Sequence, residues 1–137
     1  MALPIITVSG ALLHDDQGRI LLAQRPANKP MPFLWEIPGG KLEKDESPED
    51  ALVRELKEEI GVRVTPENLT PFTFISHSYP QFRIILLVYK CVHWEGSPQA
   101  LEGQASIEWV APNDLHTYPT TDANLALIRL LQKGIKG

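Results

Sequence analysis

The chain has 137 residues and a formal net charge of −4, and 43% of its residues are hydrophobic. This length suits one domain with its own core, and we expect a single domain over residues 1–137. The negative charge argues against binding duplex nucleic acid through its phosphates. A divalent metal could still join acidic side chains to a small phosphorylated ligand.

The sequence predicts neither membrane insertion nor secretion. The longest purely apolar run, Ile84 to Tyr89, is far shorter than the roughly 20 residues that a membrane-spanning helix needs. The N-terminal segment lacks a basic region followed by a long apolar core, so no secretory signal is expected. The single cysteine, Cys91, lies in an apolar run and is interpreted as a buried structural thiol, which fits a reducing, cytoplasmic compartment.

The N-terminal part of the chain alternates apolar segments with turns. Residues 5–13 and 19–25 are apolar and β-rich, and the Asp-Asp-Gln-Gly sequence between them is typical of a turn, so the two segments predict a hairpin. Residues 35–37 predict a short extended segment that ends at Pro-Gly-Gly. The two glycines, Gly39 and Gly40, would allow the backbone to approach a ligand or a metal closely.

Residues 48–60 predict a helix with favourable residues at both ends. Ser47 suits the N-cap, Pro48 suits the first helical position and Gly61 suits the C-terminal stop. At about 100° per residue, three carboxylates fall within an arc of about 100°, beside an apolar face. These carboxylates are Glu55, Glu58 and Glu59.

Such a cluster of like charges is mildly unfavourable unless a cation neutralises it. Carboxylate oxygens are hard ligands and suit Mg²⁺ or Mn²⁺ rather than zinc. The helix by itself therefore predicts a site for one of these cations. The alternative is an acidic face that is merely exposed to solvent.

The C-terminal half predicts further strands and a second helix. Residues 83–92 predict a buried strand, residues 107–111 predict a short one, and residues 112–115 could begin a helical turn. The last predicted element is a helix from Asp122 to Lys133, with Gly134 as its stop. Strands interrupted by two helices indicate an α/β fold with a mixed sheet covered on both faces.

The spacing of Gly40, Glu46 and the segment RELKEEIGV (residues 54–62) matches the Nudix box at every defined position. The chain therefore resembles the Nudix hydrolase superfamily, and the segments PFLWEIPGGK and WEGSPQALEGQ are similar to its MutT-like branch. The resemblance implies a Nudix α/β/α sandwich with a mixed β-sheet between helices. It also implies Mg²⁺-dependent hydrolysis of a nucleoside diphosphate linked to another group, with Mn²⁺ as a possible substitute.

The resemblance also implies roles for individual residues near the helix. The metal ligands would be the carbonyl of Gly39 and the carboxylates of Glu55, Glu58, Glu59 and Glu102. Glu55 matches the position proposed as general base, although members of the family differ in which carboxylate takes that role. Arg54 would orient the glutamates through ion pairs, and Glu46 would hold the loop, paired with Arg54.

Residues outside the helix are candidates for substrate binding. Lys41 could reach a phosphate, and Arg25 and Arg83 could contact phosphate or sugar or could simply be surface charges. Phe33 and Ile37 could line a base pocket or could serve only apolar packing.

Base recognition is implied for the start of the last helix. In the MutT-like branch a side-chain amide just before this helix reads the oxidised guanine. Asp122 aligns best with that position, and Asn124 lies two residues later. The alternative is that Asp122 only caps the helix.

The leading functional prediction is hydrolysis of 8-oxo-dGTP to 8-oxo-dGMP and pyrophosphate, which removes a mutagenic nucleotide before DNA replication. The alternative substrate is another nucleotide, such as CTP, dCTP or a nucleoside diphosphate derivative. A non-enzymatic alternative is a nucleotide-sensing Nudix domain. The expected partner is a small-molecule nucleotide, and both a monomer and a homodimer remain open.

Overall fold

A computed structural model describes residues 2–136 of the chain. Its two helices are α1 (Pro48–Ile60) and α2 (Asp122–Lys136), and short 3-10 helices span Pro66–Asn68 and Pro112–Thr117. The strands are β1 (Ile5–Leu13), β2 (Ile20–Gln24), β3 (Trp35–Glu36), β4 (Gly39–Lys41), β5 (Leu69–Ser78), β6 (Arg83–Cys91) and β7 (Ser106–Val110).

The strands form two sheets. The larger has the order β4-β1-β6-β5, in which β1 runs parallel to β6 and antiparallel to β4. The smaller has the order β3-β2-β7 and is antiparallel. The mixed sheet with helices on both sides agrees with the predicted α/β/α sandwich.

Two hydrophobic clusters attach the helices to opposite sides of the strands. Along β1, Ala11 and Leu13 pack in the cluster that contains the apolar face of α1, whereas Leu12 packs in the cluster that contains the apolar face of α2. This follows from the alternation of side chains along a strand. Cys91 lies in the α1 cluster and is 1% exposed, which confirms its prediction as a buried thiol.

The predicted hairpin of the first two strands is wrong. β1 lies in the larger sheet between β4 and β6, whereas β2 lies in the smaller sheet, and only an isolated bridge between His14 and Ile20 joins their ends. The turn between them does form, with Gly18 at φ 76°. Both edges of β1 are taken by strands from later in the sequence, and an apolar pattern without alternation cannot specify such partners.

The end of the last helix also differs from the prediction, because α2 continues through Gly134 to Lys136. Gly134 is exposed, and a Cβ at this position would meet no atom within 4 Å. No helix among residues 2–136 is long and apolar enough to cross a membrane.

The helical position of Gly134 predicts that Gly134→Ala stabilises the protein by about 0.5–1 kcal/mol, because alanine loses less backbone entropy in a helix. The measurement is the free energy of unfolding from urea denaturation. Gly18→Ala is the matched control, since its Cβ also meets open space but its φ of 76° strains alanine. The control should be destabilised by about 1 kcal/mol. Equal effects at both positions would contradict a helical Gly134.

Candidate active site

A cavity of about 660 Å³ lies where β1, β4 and β6 meet α1 and the first turn of α2. One part of its wall is charged and includes residues from four segments of the chain, and another part is apolar. The charged side chains are those of Arg25, Lys29, Glu36, Lys41, Glu55, Glu59 and Glu102, and the apolar ones include those of Ile6, Val8, Ile37, Ile84 and Leu86. The cavity therefore joins a highly charged region to a surface suited to an apolar group.

Helix α1 begins and ends as its sequence predicts. The hydroxyl oxygen of Ser47 accepts a hydrogen bond from the backbone N–H of Asp50 (3.0 Å), and Gly61 ends the helix at φ 72°. Leu52 and Leu56 are fully buried and attach the helix to the core. This attachment fixes the direction in which the acidic side of α1 faces.

Glu59 is the most deeply buried carboxylate of the site, at 7% exposure. One carboxylate oxygen, Oε2, accepts a hydrogen bond from the backbone N–H of Gly39 (3.1 Å), and Oε1 accepts one from Nε2 of Gln104 (3.0 Å). Burial, together with the nearby charge of Glu36, raises the pKa of Glu59 to about 8. The hydrogen bond from Gly39 and the charge of Lys29 lower this pKa and only partly offset the effect of burial.

Two further cavity carboxylates share this electrostatic environment. Burial raises the pKa of Glu55 and that of Glu36 above their ordinary values. Arg25 partly offsets this for Glu36, since its Nη1 lies 3.0 Å from the Oε2 of Glu36. Glu36, Glu55 and Glu59 are therefore three carboxylates of one cavity wall whose burial disfavours the ionised form.

Arg54 organises the acidic cluster from outside the cavity wall. Its Nε and Nη2 bind the two carboxylate oxygens of Glu46 at 2.8 and 2.9 Å. Its Nη1 lies 2.8 Å from Oε1 of Glu55 and 3.3 Å from Oε2 of Glu58. The bidentate pair with Arg54 lowers the pKa of Glu46 to about 2. This arrangement agrees with the predicted pairing of Arg54 and Glu46 and with Arg54 as an orienting residue.

The structure gathers most of the predicted site residues around the cavity. Its wall includes Gly39, Glu55, Glu59 and Glu102 of the predicted metal ligands, and Arg25, Lys41 and Ile37 of the predicted substrate contacts. Glu58 lies outside the wall with a side chain 45% exposed, held by Arg54.

Two predicted substrate contacts lie elsewhere. Phe33 is 53% exposed, has a φ of 63° and is not part of the cavity wall. Arg83 is also outside the wall, and its Nε donates a hydrogen bond to the hydroxyl of Ser78 (3.0 Å) at the exposed start of β6. Neither side chain lines the cavity, and contact with a substrate stays a prediction at both positions.

The side chain that faces the cavity from the first turn of α2 lies two residues after the predicted base reader, Asp122. The side chain of Asp122 is 65% exposed, lies outside the cavity wall and approaches Nε2 of His77 at 3.7 Å. Asn124 instead lines the cavity and is 6% exposed. Positions two residues apart are about 200° apart on a helix, so they cannot face the same cavity. Asp122 stands at the first position of α2, where its charge complements the helix dipole.

Both functional groups of the Asn124 amide are held in place. Oδ1 accepts a hydrogen bond from the backbone N–H of Ile37 (3.0 Å), and Nδ2 donates one to Oγ1 of Thr121 (2.9 Å). The oxygen Oδ1 keeps one free lone pair as an acceptor, and Nδ2 keeps one free N–H as a donor. The sequence places Asn124 near the start of the helix but gives no indication of which residue of the first turn faces inward.

Sequence reasoning did not identify Glu36, Gln104 or Ser9 as parts of the site, although all three line the cavity. Ser9 is fully buried, and its hydroxyl has no hydrogen-bond partner within the protein. Glu36 follows Trp35 in a short strand, and Gln104 lies in an irregular loop. Glu36 and Gln104 are both distant from Glu59 in the sequence and come near it only in the folded protein.

The residues of the charged region fit a divalent cation. They combine hard oxygen donors with raised carboxylate pKa values, and a cation would relieve the repulsion among them. In the arrangement seen over residues 2–136, no three side chains of His, Cys, Asp or Glu converge on one point. Arg54 holds Glu55 and Glu58 in this arrangement, so binding would require those carboxylates to exchange an arginine partner for the cation.

Comparison with known proteins identifies the class to which this fold and site belong. The model of the NUDIX domain family matches residues 4–131. The chain therefore belongs to the NUDIX domain family and is a MutT-like hydrolase of that family.

Several relatives match over nearly their whole length. The 8-oxo-dGTP diphosphatase of Escherichia coli K12 is 32% identical over 128 residues, which cover 93% of this chain and 97% of the relative. The CTP pyrophosphohydrolase of the same organism is 39% identical over 125 residues, which cover 90% and 89%. The solution structure of the E. coli ORF135 protein has a TM-score of 0.79 at 34% identity, covering 93% of this chain and 88% of that protein.

Proposed function

We propose that this protein is a divalent-metal-dependent nucleoside triphosphate pyrophosphohydrolase, with 8-oxo-dGTP as its leading substrate. The observation that carries the proposal is the composition of one cavity. Its wall combines the carboxylates of Glu55, Glu59 and Glu102, the Gly39–Lys41 strand and several basic side chains with the buried amide of Asn124 and apolar side chains. A nucleotide offers matching parts, a polyphosphate and a planar base.

The charged region has the groups that hydrolysis of a phosphoric anhydride needs. A bound divalent cation, Mg²⁺ or Mn²⁺, would neutralise phosphate charge and make a water molecule more acidic. The cation would be held by Gly39, Glu55, Glu58, Glu59 and Glu102. Lys41 and Arg25 are placed to bind phosphate oxygens from the cavity wall.

Glu55 is the proposed acceptor of the water proton. It is a carboxylate of the cavity wall, and it could take a proton once its ion pair with Arg54 is exchanged. As the water oxygen bonds to a phosphorus of the diphosphate, the bond from that phosphorus to the bridging oxygen breaks. The proton of the water passes to Glu55, and a triphosphate yields its monophosphate and pyrophosphate.

Asn124 is the proposed reader of the base, in place of Asp122. Its amide has one N–H and one oxygen lone pair free, and these complement the O6 acceptor and N7–H donor of 8-oxoguanine. Guanine carries an acceptor at N7 instead, which would face the amide oxygen unfavourably. A neutral amide can thus distinguish the two bases, whereas a carboxylate such as that of Asp122 can only accept.

CTP or dCTP is the second candidate substrate. This candidate is supported by the 39% identity to a CTP pyrophosphohydrolase over 90% of the chain. Cytosine offers an N4 amino donor next to the N3 acceptor, a pair that the same amide of Asn124 could satisfy. The acidic cluster and the chemistry would be unchanged.

Initial rates of pyrophosphate release with Mg²⁺ test the proposal. The panel contains 8-oxo-dGTP, dGTP, CTP, dCTP and the other normal nucleotides, with phosphate-ester release from ADP-ribose as a further comparison. The highest kcat/KM is expected for 8-oxo-dGTP. Highest activity on CTP or dCTP would select the second candidate, and a preference for ADP-ribose over every triphosphate would refute both.

The base reader is tested by exchanging Asn and Asp at two positions. Asn124→Asp keeps an acceptor for Ile37 but removes the N–H offered to the base, so the preference for 8-oxo-dGTP over dGTP should fall. One pair of base contacts is worth about 1–3 kcal/mol of discrimination, or roughly 5- to 150-fold. Asp122→Asn is the matched exchange at the exposed position and should leave this ratio unchanged. The opposite result would restore Asp122 as the reader.

A further inference from the structure

The loop that precedes β7 is attached to the end of the acidic helix. The backbone N–H of Leu101 donates to the carbonyl of Glu59, and that of Gln99 donates to the carbonyl of Ile60, both at 2.9 Å. Carbonyls in the last turn of a helix have no partner within the helix, so these bonds satisfy them. The loop is thereby held beside Glu59.

A tight turn in this loop directs Gln104 back toward the helix. The backbone N–H of Gln104 donates to the carbonyl of Leu101 (3.0 Å), and the two central residues, Glu102 and Gly103, have φ values of 56° and 75°. Positive φ at both central positions defines a type I′ turn. The turn brings Glu102 and Gln104 to the cavity wall together.

Gln104 contacts the buried carboxylate directly. Its Nε2 donates to Oε1 of Glu59 (3.0 Å), while the N–H of Gly39 donates to Oε2 (3.1 Å). A carboxylate with a separate donor on each oxygen cannot rotate without losing one of them. The two donors come from segments on opposite sides of Glu59 in the sequence, so the orientation of this carboxylate depends on both.

The other end of the same amide has no partner. Oε1 of Gln104 is buried and makes no hydrogen bond within the protein, although Gln104 lines the cavity. A buried acceptor without a partner carries an energetic cost, so this position of the amide is not explained by the hydrogen bonding of its oxygen. Ser9, with its unpartnered hydroxyl, is a second such group in the same wall.

We propose that Gln104 is a positioning residue that acts through Glu59. Its Nε2 donates to Oε1 of Glu59 and thereby holds this carboxylate toward the cation site. The inference rests on the proposed function, because it requires that the acidic cluster bind a divalent cation.

The test is the binding of Mn²⁺ to metal-free protein without nucleotide, measured by electron paramagnetic resonance or calorimetry. Residues that hold a metal ligand in place typically change metal affinity about 10- to 100-fold when they are replaced. Gln104→Leu should weaken Mn²⁺ binding by a factor in this range and lower kcat more than it changes KM. Gln104→Asn keeps the amide but shortens its reach and should weaken Mn²⁺ binding similarly.

Gln99→Leu is the matched control. Gln99 lies in the same loop, its side chain is exposed, and only its backbone contacts the helix. Its Mn²⁺ affinity should equal that of the wild type, and thermal unfolding of the metal-free variants checks that all of them fold.

A double-mutant cycle with Glu59→Gln separates positioning through Glu59 from an independent effect. If Gln104 acts through Glu59, Gln104→Leu should have little further effect on Mn²⁺ affinity in the Glu59→Gln background. Unchanged Mn²⁺ binding by Gln104→Leu, or an equal loss in both backgrounds, would overturn the inference. Absence of Mn²⁺ binding by the wild type would instead refute the proposed metal-dependent function.

Discussion

Replacing Glu59 with glutamine is expected to lower metal-dependent pyrophosphate release by roughly 100-fold or more. Glu59 is the carboxylate that the structure buries most deeply at the junction of α1, β4 and the loop before β7. Glutamine has nearly the same shape but lacks the negative charge that a divalent cation requires. The measurement is the initial rate at several Mg²⁺ concentrations.

Controls for this substitution come from two other carboxylates. Glu58→Gln should also lower the rate, because Glu58 is a proposed ligand of the same cation. Glu108→Gln changes an exposed carboxylate on β7, away from the cavity wall, and should keep the wild-type rate. Full activity in both Glu58→Gln and Glu59→Gln would show that the metal assignment is wrong.

Glu59→Gln should lower activity but raise the stability of the metal-free protein at alkaline pH. Because the folded-state pKa of Glu59 is raised from 4.5 to about 8, the folded protein binds more protons than the unfolded chain between these pH values. The contribution of Glu59 to stability therefore decreases as pH rises through this window. Glu59→Gln should be more stable than the wild type near pH 8 in denaturation with a chelator present, and the difference should shrink toward pH 4.

Gly39→Ala is expected to destabilise the protein by roughly 3 kcal/mol or more. A Cβ at Gly39 would lie 2.0 Å from the carbonyl oxygen of Ser9 and 2.7 Å from the Cα of Gly10. Both are backbone atoms of β1, which pairs with β4 at this point, so the strands would have to separate. Such a separation would also remove the N–H that orients Glu59, and activity should be lost with stability.

Gly40→Ala is the matched comparison for Gly39→Ala. Its Cβ would lie 2.4 Å from the carboxyl carbon of Glu55, which is the end of a flexible side chain and can move. We expect a smaller loss of stability but a clear loss of activity, because the proposed base would be displaced. Urea denaturation and initial rates measure the two effects separately. A Gly39→Ala protein as stable as the wild type would contradict the close approach of β4 to β1.

The acidic helix could be predicted because the residues that specify it lie next to one another in the sequence. Ser47, Pro48 and Gly61 specify where the helix begins and ends, and the spacing of the glutamates specifies their common side. The Nudix box adds the family, which the match over residues 4–131 confirms. Most of the strands and the α/β/α class follow in the same way from apolar segments and their interruptions.

The partners of the strands, and the residue of α2 that faces the cavity, depend on contacts between distant segments. The apolar segments of β1 and β2 fit a hairpin equally well, and only the insertion of β4 and β6 beside β1 excludes it. Asp122 and Asn124 both stand in the first turn of α2, and the way this helix docks turns Asn124 to the cavity and Asp122 to solvent.

The sequence by itself determined the acidic cluster, the family and the expected use of a divalent cation, because the relevant residues lie within one helix and the loop before it. Only the tertiary structure decided which groups surround Glu59 and which amide faces the cavity. Glu36 and Gly39 approach that carboxylate from a stretch before α1, and Gln104 approaches it from the loop before β7. No local pattern encodes distances between segments that meet only after folding.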